Sequence, residues 1–438
     1  MSTNITGEKG FYGWTNVAVA SIMGITGGFY IISFGYLLPF LLSEFGWNRG
    51  TTSLAAAINL IAMGLCGPIA GFFIVKYGAR LSMILGNILG FAGLFLLFLH
   101  TRLWELFLGY GLLIGLGAGF GGMLASTTII NNWFVKRRGL ALSIFLSSSG
   151  AAGIFMGPAI MKLIKTAGWS TTVLTMACAV LLLAVLLPAI FIKNKPQDIG
   201  QVPDGPGSLN PPIKSHATRS EASYRTPVDF TAKEAMRTKS LWLLIAYFCM
   251  NMLAMQALMT HQIAFLLDIG IDATLAAGAL SLMSAVMTLS QLGVGFISRR
   301  FGMHSIAVCA ESFKIAGLII LIIVILLVKA MPHVYVLAGV GLYMIVLGLG
   351  FGAVMTATMN IFPNYFGISN YPKIMGFVRL FWAFIGGAGA PIAGYIREMT
   401  GSYLPAFCGV LAVTTLGLIC LIFARAPVHP SLKEMQRQ

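Results

Sequence analysis

About twelve stretches of this chain stay apolar for the ~20 residues that a helix needs to cross the hydrocarbon core of a bilayer. Their rough limits are 14–39, 51–75, 81–100, 104–132, 138–163 and 170–192, then 240–267, 274–298, 304–328, 334–361, 374–396 and 402–424. No soluble domain buries so many runs, because a single core stops growing well below that size. Composition agrees: 58% of the 438 residues are hydrophobic and 9% are charged, against about 25% charged in a globular chain. The pattern predicts an all-α integral membrane fold of twelve transmembrane helices. Met1 to Trp14 is short and polar, and the run behind it is long enough to span a bilayer rather than be removed as a signal.

The formal net charge of +15 raises the question of nucleic acid, and the positions of the basic residues answer it. One set of loops holds Lys76, Arg80, Lys136 to Arg138, Arg299, Arg300, Lys373 and the central linker. The opposite set holds Arg49, Arg102, Lys162, Lys165, Lys329 and Arg397. Such alternation is the topological bias of a membrane protein, not a nucleic-acid footprint. It predicts a multi-pass protein of the plasma (inner) membrane with both termini and the linker cytoplasmic. The six cysteines lie inside or at the edge of apolar runs without metal-ligand spacing, so they are expected to be reduced packing residues, with no metal and no cofactor.

Lys193 to Lys239 is rich in Pro, Ser, Asp and Lys, too polar to order itself by burial, and reads as a largely flexible linker. It divides the chain into an N-terminal six-helix half (1–193), the linker (194–238) and a C-terminal six-helix half (239–438). The halves echo each other. Gly71-Phe72-Phe73-Ile74-Val75-Lys76-Tyr77-Gly78 follows span two and Gly295-Phe296-Ile297-Ser298-Arg299-Arg300-Phe301-Gly302 follows span eight. Asn132-Trp133-Phe134 and Asn364-Tyr365-Phe366 follow spans four and ten, and glycine-rich runs end at Pro158 and Pro391 in spans five and eleven. Two six-helix repeats with a site near the midplane between them are a common transporter plan. The run Gly115-x-Gly117-x-Gly119-x-Gly121 lacks the strand and βαβ setting of a dinucleotide loop. Small residues at these spacings, and in Gly150-x2-Gly153-x3-Gly157-Pro158, let membrane helices approach closely, and Pro158 permits a bend.

Three motifs resemble the major facilitator superfamily, and within it the monocarboxylate transporter family with its bacterial oxalate/formate-antiporter-like relatives. Gly71-x6-Gly78-x-Arg80 is similar to the superfamily's loop motif after span two. Phe134-x-Lys136-Arg137-Arg138-x-Leu140-Ala141 matches the monocarboxylate signature entering span five, and Gly10-Phe11-Tyr12-Gly13-Trp14 resembles the aromatic-glycine signature entering span one. The resemblance implies alternating access, with Gly71, Gly78, Arg80, Gly150, Gly153, Gly157 and Pro158 serving the conformational change. Two departures stand out. Val75 occupies the loop motif's usual Asp position, with Arg299 at the partner position. Met287 and Gln291 stand where the family carries an Asp and an Arg in span eight, so the usual coupling pair is missing.

An ionisable residue inside a span is costly and therefore a functional candidate. Arg379 in span eleven is the deepest arginine, and its planar fork matches two carboxylate oxygens. Trp382 lies three residues on, along the same face. A snorkelling or helix-capping arginine is the alternative. His261 in span seven titrates near physiological pH and can take a symported proton or bond a substrate; a simple interhelical bond is its structural alternative. Glu311 and Lys314 stand at i, i+3 and read as a structural ion pair. Tyr30, Gln291 and Tyr343 add hydrogen-bonding groups on helices expected to line a central cavity, though polar groups are also ordinary at helix contacts. Asp268 and Asp272 read as solvated loop residues.

The expected function is secondary transport of small monocarboxylates of the lactate or pyruvate type by a single chain, with a proton symported. Its partners are a small carboxylate, a proton and the lipid bilayer, and not nucleic acid. Organic-anion exchange of the oxalate/formate type, drug or metabolite efflux, and a membrane sensor without flux are the rivals. A membrane enzyme would need clustered acids or a nucleophile motif at one face, which the sequence does not offer.

Overall fold

The computed structural model describes residues 11–31, 33–47, 49–99, 102–205, 224–298, 300–328, 330 and 332–435. Gly10, Arg299, Lys329 and the middle of the linker lie outside the described residues. All secondary structure described is helical, as backbone groups without water require. Helix α1 is described over Gly13–Thr26 and, past a turn at Gly27, over Gly28–Ile31 and Ser33–Phe45, with residue 32 outside the described residues. The turn has a local cause. Gly27 N–H makes the ordinary i to i−4 bond to Met23 O at 2.8 Å, where the Thr26 hydroxyl also donates at 2.9 Å, and beyond it Tyr30 N–H donates to Gly27 O at 3.1 Å, an i to i−3 bond that tightens the turn.

The following helices are α2 (Arg49–Tyr77), α3 (Ala79–Leu99) and α4 (Leu103–Trp133). One run, Arg138–Ala179, breaks at Gly168, whose φ of 81° favours glycine. We number its two parts α5 (138–167) and α6 (169–191, ending at Phe191). The second set is α7 (Lys239–Asp268), α8 (Ala273–Ile297), α9 (Met303–Leu327), α10 (His333–Phe366), α11 (Tyr371–Thr400) and α12 (Leu404–Phe423). Among the described residues eleven helices are long and apolar enough to cross a membrane, and the interrupted α1 brings the set to the twelve expected.

The two sets of helices meet along two seams, α2 on α11 and α5 on α8. Glycine makes the first seam. A Cβ on Gly67 would lie 2.7 Å from Gly376 O, one on Gly376 2.3 Å from Gly67 O, and one on Gly71 2.4 Å from Pro372 O. On the second seam Gly139 faces Ser298, Gly295 faces Ser143, and Gly150 faces Thr288 and Gln291. All these contacts lie toward the end of the bundle that carries the linker, hereafter the linker face. Two side-chain hydrogen bonds join the sets at this end: Arg138 Nη1 to Asn364 Oδ1 at 3.1 Å, and Tyr371 OH to Thr127 Oγ1 at 3.2 Å.

The expectation of a largely flexible linker needs correction on both flanks. Residues 192–205 and 224–238 are bound to the bundle. The Asp204 carboxylate accepts from the N–H groups of Val135, Lys136 and Arg137, at 3.0, 2.6 and 3.1 Å. Its own N–H donates to Trp133 O at 3.0 Å. The other flank repeats the device: the Asp229 carboxylate accepts from Ser369 N–H at 3.0 Å and from the Ser369 hydroxyl, while Phe230 N–H donates to Phe366 O at 3.0 Å. Composition misjudged these segments because they order by capping turns with carboxylates rather than by burying apolar area.

Candidate functional site

Four helices from both sets enclose a cavity of about 40 Å³, counted as room for water centres. Helix α4 contributes Met123, Leu124 and Thr127; α7 gives Phe248 and Met252; α10 gives Met355 and Met359; α11 gives Tyr371, Met375, Arg379 and Trp382. The α11 residues fall at i, i+4, i+8 and i+11, one stripe of a helix. The other pairs recur at i, i+4 for the same reason.

Two local irregularities aim this lining. Helix α4 breaks at Gly122 (φ −84°, ψ −135°), immediately before Met123 and Leu124. Helix α11 widens into a π-helical stretch over Trp382–Gly386, beginning at the residue that lines the cavity. Such widened turns recur at functional sites in helices. Alongside it, Ala383 packs so tightly on Gly64 that a side chain there would overlap its Cβ.

Arg379 lies eight residues into α11, roughly 12 Å from the linker face. It is half-buried, but its Nη1 nitrogen is shut off from solvent and has no hydrogen-bond partner. Trp382 Nε1 is also buried and unpartnered, and the guanidinium carbon sits 5.8 Å from the Trp382 ring centroid. No described carboxylate forms an ion pair with Arg379: the ion pairs found are Lys314–Glu311, Arg397–Asp268 and His429–Glu234. Below it, the Tyr371–Thr127 hydrogen bond closes the cavity toward the linker face, and Thr127 Oγ1 in turn donates to Met123 O at 2.8 Å.

The structure brings Arg379 and Trp382 together in this cavity and puts the other candidates elsewhere. His261 bonds Ala390 O through Nε2 at 2.8 Å and Tyr403 OH through Nδ1 at 3.2 Å. Ala390 lies eleven residues past Arg379, roughly 16 Å along α11. Tyr30 donates to Asn87 Oδ1 at 3.0 Å inside the N-terminal helices. Gln291 stands in the α5–α8 seam opposite Gly150, with a buried Oε1 that lacks a partner. The Tyr343 hydroxyl is buried next to Gln262 without a well-formed hydrogen bond.

Gly78 has a φ of +90°, and its carbon face lies against Asn194. Arg80 donates its backbone N–H to Asn194 Oδ1 at 2.9 Å and its guanidinium to Ala189 O. Amide and carbonyl groups thus hold the loop that Val75 leaves without a carboxylate. Gly153, Gly157 and Pro158 fall among residues whose side chains lie outside those described.

Glu311 and Lys314 are fully buried and paired at 2.9 Å, with Asn251 donating to Glu311 at 3.4 Å and Phe351 under the ammonium at 4.7 Å. This supports the structural reading. Asp268 is the last residue of α7, solvent-exposed as expected, and pairs there with Arg397 at 2.8 Å. Sequence reasoning missed Tyr371, Thr127, Phe248 and the five methionines. The i, i+4 spacing back from Arg379 to Met375 and Tyr371 was the signal available for two of them.

A twelve-helix membrane protein with a cavity between its two helix sets is the class these features define. The family model of the Major Facilitator Superfamily matches residues 18–347. The chain belongs to that superfamily, and it is a multi-pass membrane transporter, not an enzyme. It is 23% identical to monocarboxylate transporter 2 of Homo sapiens over 448 aligned positions, covering 95% of this chain and 86% of that protein. It is 24% identical to the agnestins efflux protein AgnL12 of Paecilomyces divaricatus over 418 positions, covering 94% and 85%. Among solved structures, the transporter FucP in the outward conformation superposes with a TM-score of 0.68 at 16% identity, over 95% of this chain and all of that one.

Proposed function

We propose that this chain is a secondary active transporter of small monocarboxylates, of the lactate or pyruvate type, working by alternating access as a single chain. The two six-helix halves, 1–193 and 239–438, rock about the cavity while residues 194–238 tether them. The observation that carries this is Arg379: a cation inside a membrane span, with an unpartnered guanidinium nitrogen and no ion-paired carboxylate among the described residues. A charge so placed is costly unless an anion completes it, and transport supplies that anion. Monocarboxylate transporter 2 among the relatives supports the substrate class.

The bias of basic residues supports a cytoplasmic linker face and cytoplasmic termini in the plasma (inner) membrane. With the seams packed at that end, the described conformation is closed to the cytoplasm. A proton is symported in this reading, with His261 as its acceptor. Ala390 O can only accept, so Nε2 carries the hydrogen in the neutral ring and Nδ1 accepts from Tyr403. Protonation turns Nδ1 into a donor to the same hydroxyl, so the ring can charge without losing a partner.

Anion exchange is the second reading, favoured by the same cation. With Met287 and Gln291 at the family's coupling positions, Arg379 has nothing to discharge onto during an empty return. Uptake of labelled L-lactate, and of a panel of other labelled monocarboxylates beside it, into proteoliposomes separates the two. Stimulation by an inward proton gradient supports symport. Stimulation only by preloaded unlabelled lactate supports exchange. No flux of any monocarboxylate under either condition overturns the proposal.

A further inference from the structure

We infer that the Arg379 cavity prefers, over the lactate or pyruvate type proposed above, monocarboxylates whose carboxylate is carried on an aromatic or branched apolar body. The inference rests on Arg379 being the carboxylate anchor and goes on to what the rest of the wall can recognise. Arg379 Nη1 and Trp382 Nε1 are both buried donors without partners. Together they offer N–H groups to the two oxygens of one carboxylate. The two hydroxyls in the wall, Thr127 and Tyr371, are already bonded to each other.

What remains is soft and apolar: Met123, Met252, Met355, Met359, Met375 and Phe248. A hydroxyl on the substrate meets thioether sulfurs over most of this wall, with the Tyr371–Thr127 pair as the polar exception, and burying it poorly paired costs affinity. An aromatic or branched group meets the contacts methionine makes best, sulfur against ring edge and methylene against methylene. The cavity of about 40 Å³ holds a few water centres and no ring as it stands. Five unbranched side chains, each with three rotatable bonds, make its wall one that repacks around a guest instead of sieving by size.

Calorimetric titration of the purified full-length protein with acetate, L-lactate, phenylacetate, 4-methylpentanoate and neutral phenylacetamide tests this, with Arg379→Gln and Met359→Gln as variants. Phenylacetate and 4-methylpentanoate should bind at least about tenfold tighter than acetate or lactate, with a more negative heat-capacity change. Phenylacetamide should bind at least tenfold more weakly than phenylacetate, Arg379→Gln should weaken every acid, and Met359→Gln should weaken the apolar acids while sparing acetate. If Arg379→Gln weakens all acids but acetate and lactate bind as tightly as phenylacetate, the apolar selectivity is wrong and the anchor stands. If the amide matches the acid, or Arg379→Gln binds every acid like the parent, the anchor fails and this inference falls with it. Absence of binding by any acid overturns both. The wild-type series decides the matter even where a variant does not fold.

Discussion

Arg138 at the start of α5 donates to Asn364 at the end of α10, across 3.1 Å and 226 residues of chain. Arg138 is 6% exposed and also donates through Nε to Phe134 O. It therefore joins the two helix sets at the linker face with a charge-assisted bond, worth about 1.5–3 kcal/mol where such bonds are buried. Asn364→Ala should shift the population toward a conformation open at that face. A Thr127→Cys reporter in a cysteine-free background should then react with a membrane-impermeant maleimide from the linker side at least about tenfold faster.

Gly71 makes a related prediction by steric means. A methyl group there would sit 2.4 Å from Pro372 O, which is backbone and cannot turn aside. Gly71→Ala should wedge α2 from α11 and raise labelling of the same Thr127→Cys reporter. Unchanged labelling would mean that the seam is not the closing contact.

The buried pair Glu311–Lys314 should behave as structure. Lys314→Met strands a carboxylate among Tyr247, Asn251 and Phe351 and should cost about 3–5 kcal/mol of stability. Glu311→Gln combined with Lys314→Met should recover most of that, which paired thermal unfolding of the variants in detergent will show.

Asp204 and Asp229 each cap a turn at the linker face, on separate arms of the linker. Replacing either by Ala should cost about 1–2 kcal/mol, by the measure of capping side chains. The sites share no partner, so the double variant should lower the melting temperature by the sum of the single effects.

Glu234 supplies a pH dependence. The Thr231 hydroxyl donates to its carboxylate at 2.7 Å and the Thr231 N–H at 2.8 Å, and His429 lies 3.6 Å away. These hold the carboxyl below its ordinary range, the Thr231 hydroxyl bond first. A depressed folded-state pKa contributes stability above the unfolded value and loses it as pH falls through the folded one. Wild-type melting temperature should therefore fall more steeply between about pH 5 and pH 3 than that of Glu234→Gln.

The transmembrane plan was legible because run length and loop charge are set by the bilayer itself. The seams were partly legible: Gly150 stands in a spacing that suits close helix approach, whereas Gly71 was read as part of a loop motif and its contact with Pro372 was not foreseen. The turn at Gly27 in α1 was not, because the Thr26 hydroxyl bond and the i to i−3 bond from Tyr30 to Gly27 leave no mark on periodicity. At the site, Arg379 and Trp382 announce themselves as a cation and an indole on one face. The methionines do not, since Met in an apolar run looks like core whether it faces lipid, a neighbouring helix or a cavity. Tyr30 and His261 are polar groups in spans that found partners in adjacent helices, an outcome set by packing and not by local sequence.

Exchange of labelled against unlabelled monocarboxylate in proteoliposomes, comparing wild type with Arg379→Gln and Arg379→Lys, tests the central claim most directly. Loss of a buried charged contact to the carboxylate costs about 2–5 kcal/mol, so Arg379→Gln should lower the flux at limiting substrate at least about thirtyfold. Arg379→Lys keeps the charge but not the fork and should fall between the two. Wild-type flux retained by Arg379→Gln would contradict the account.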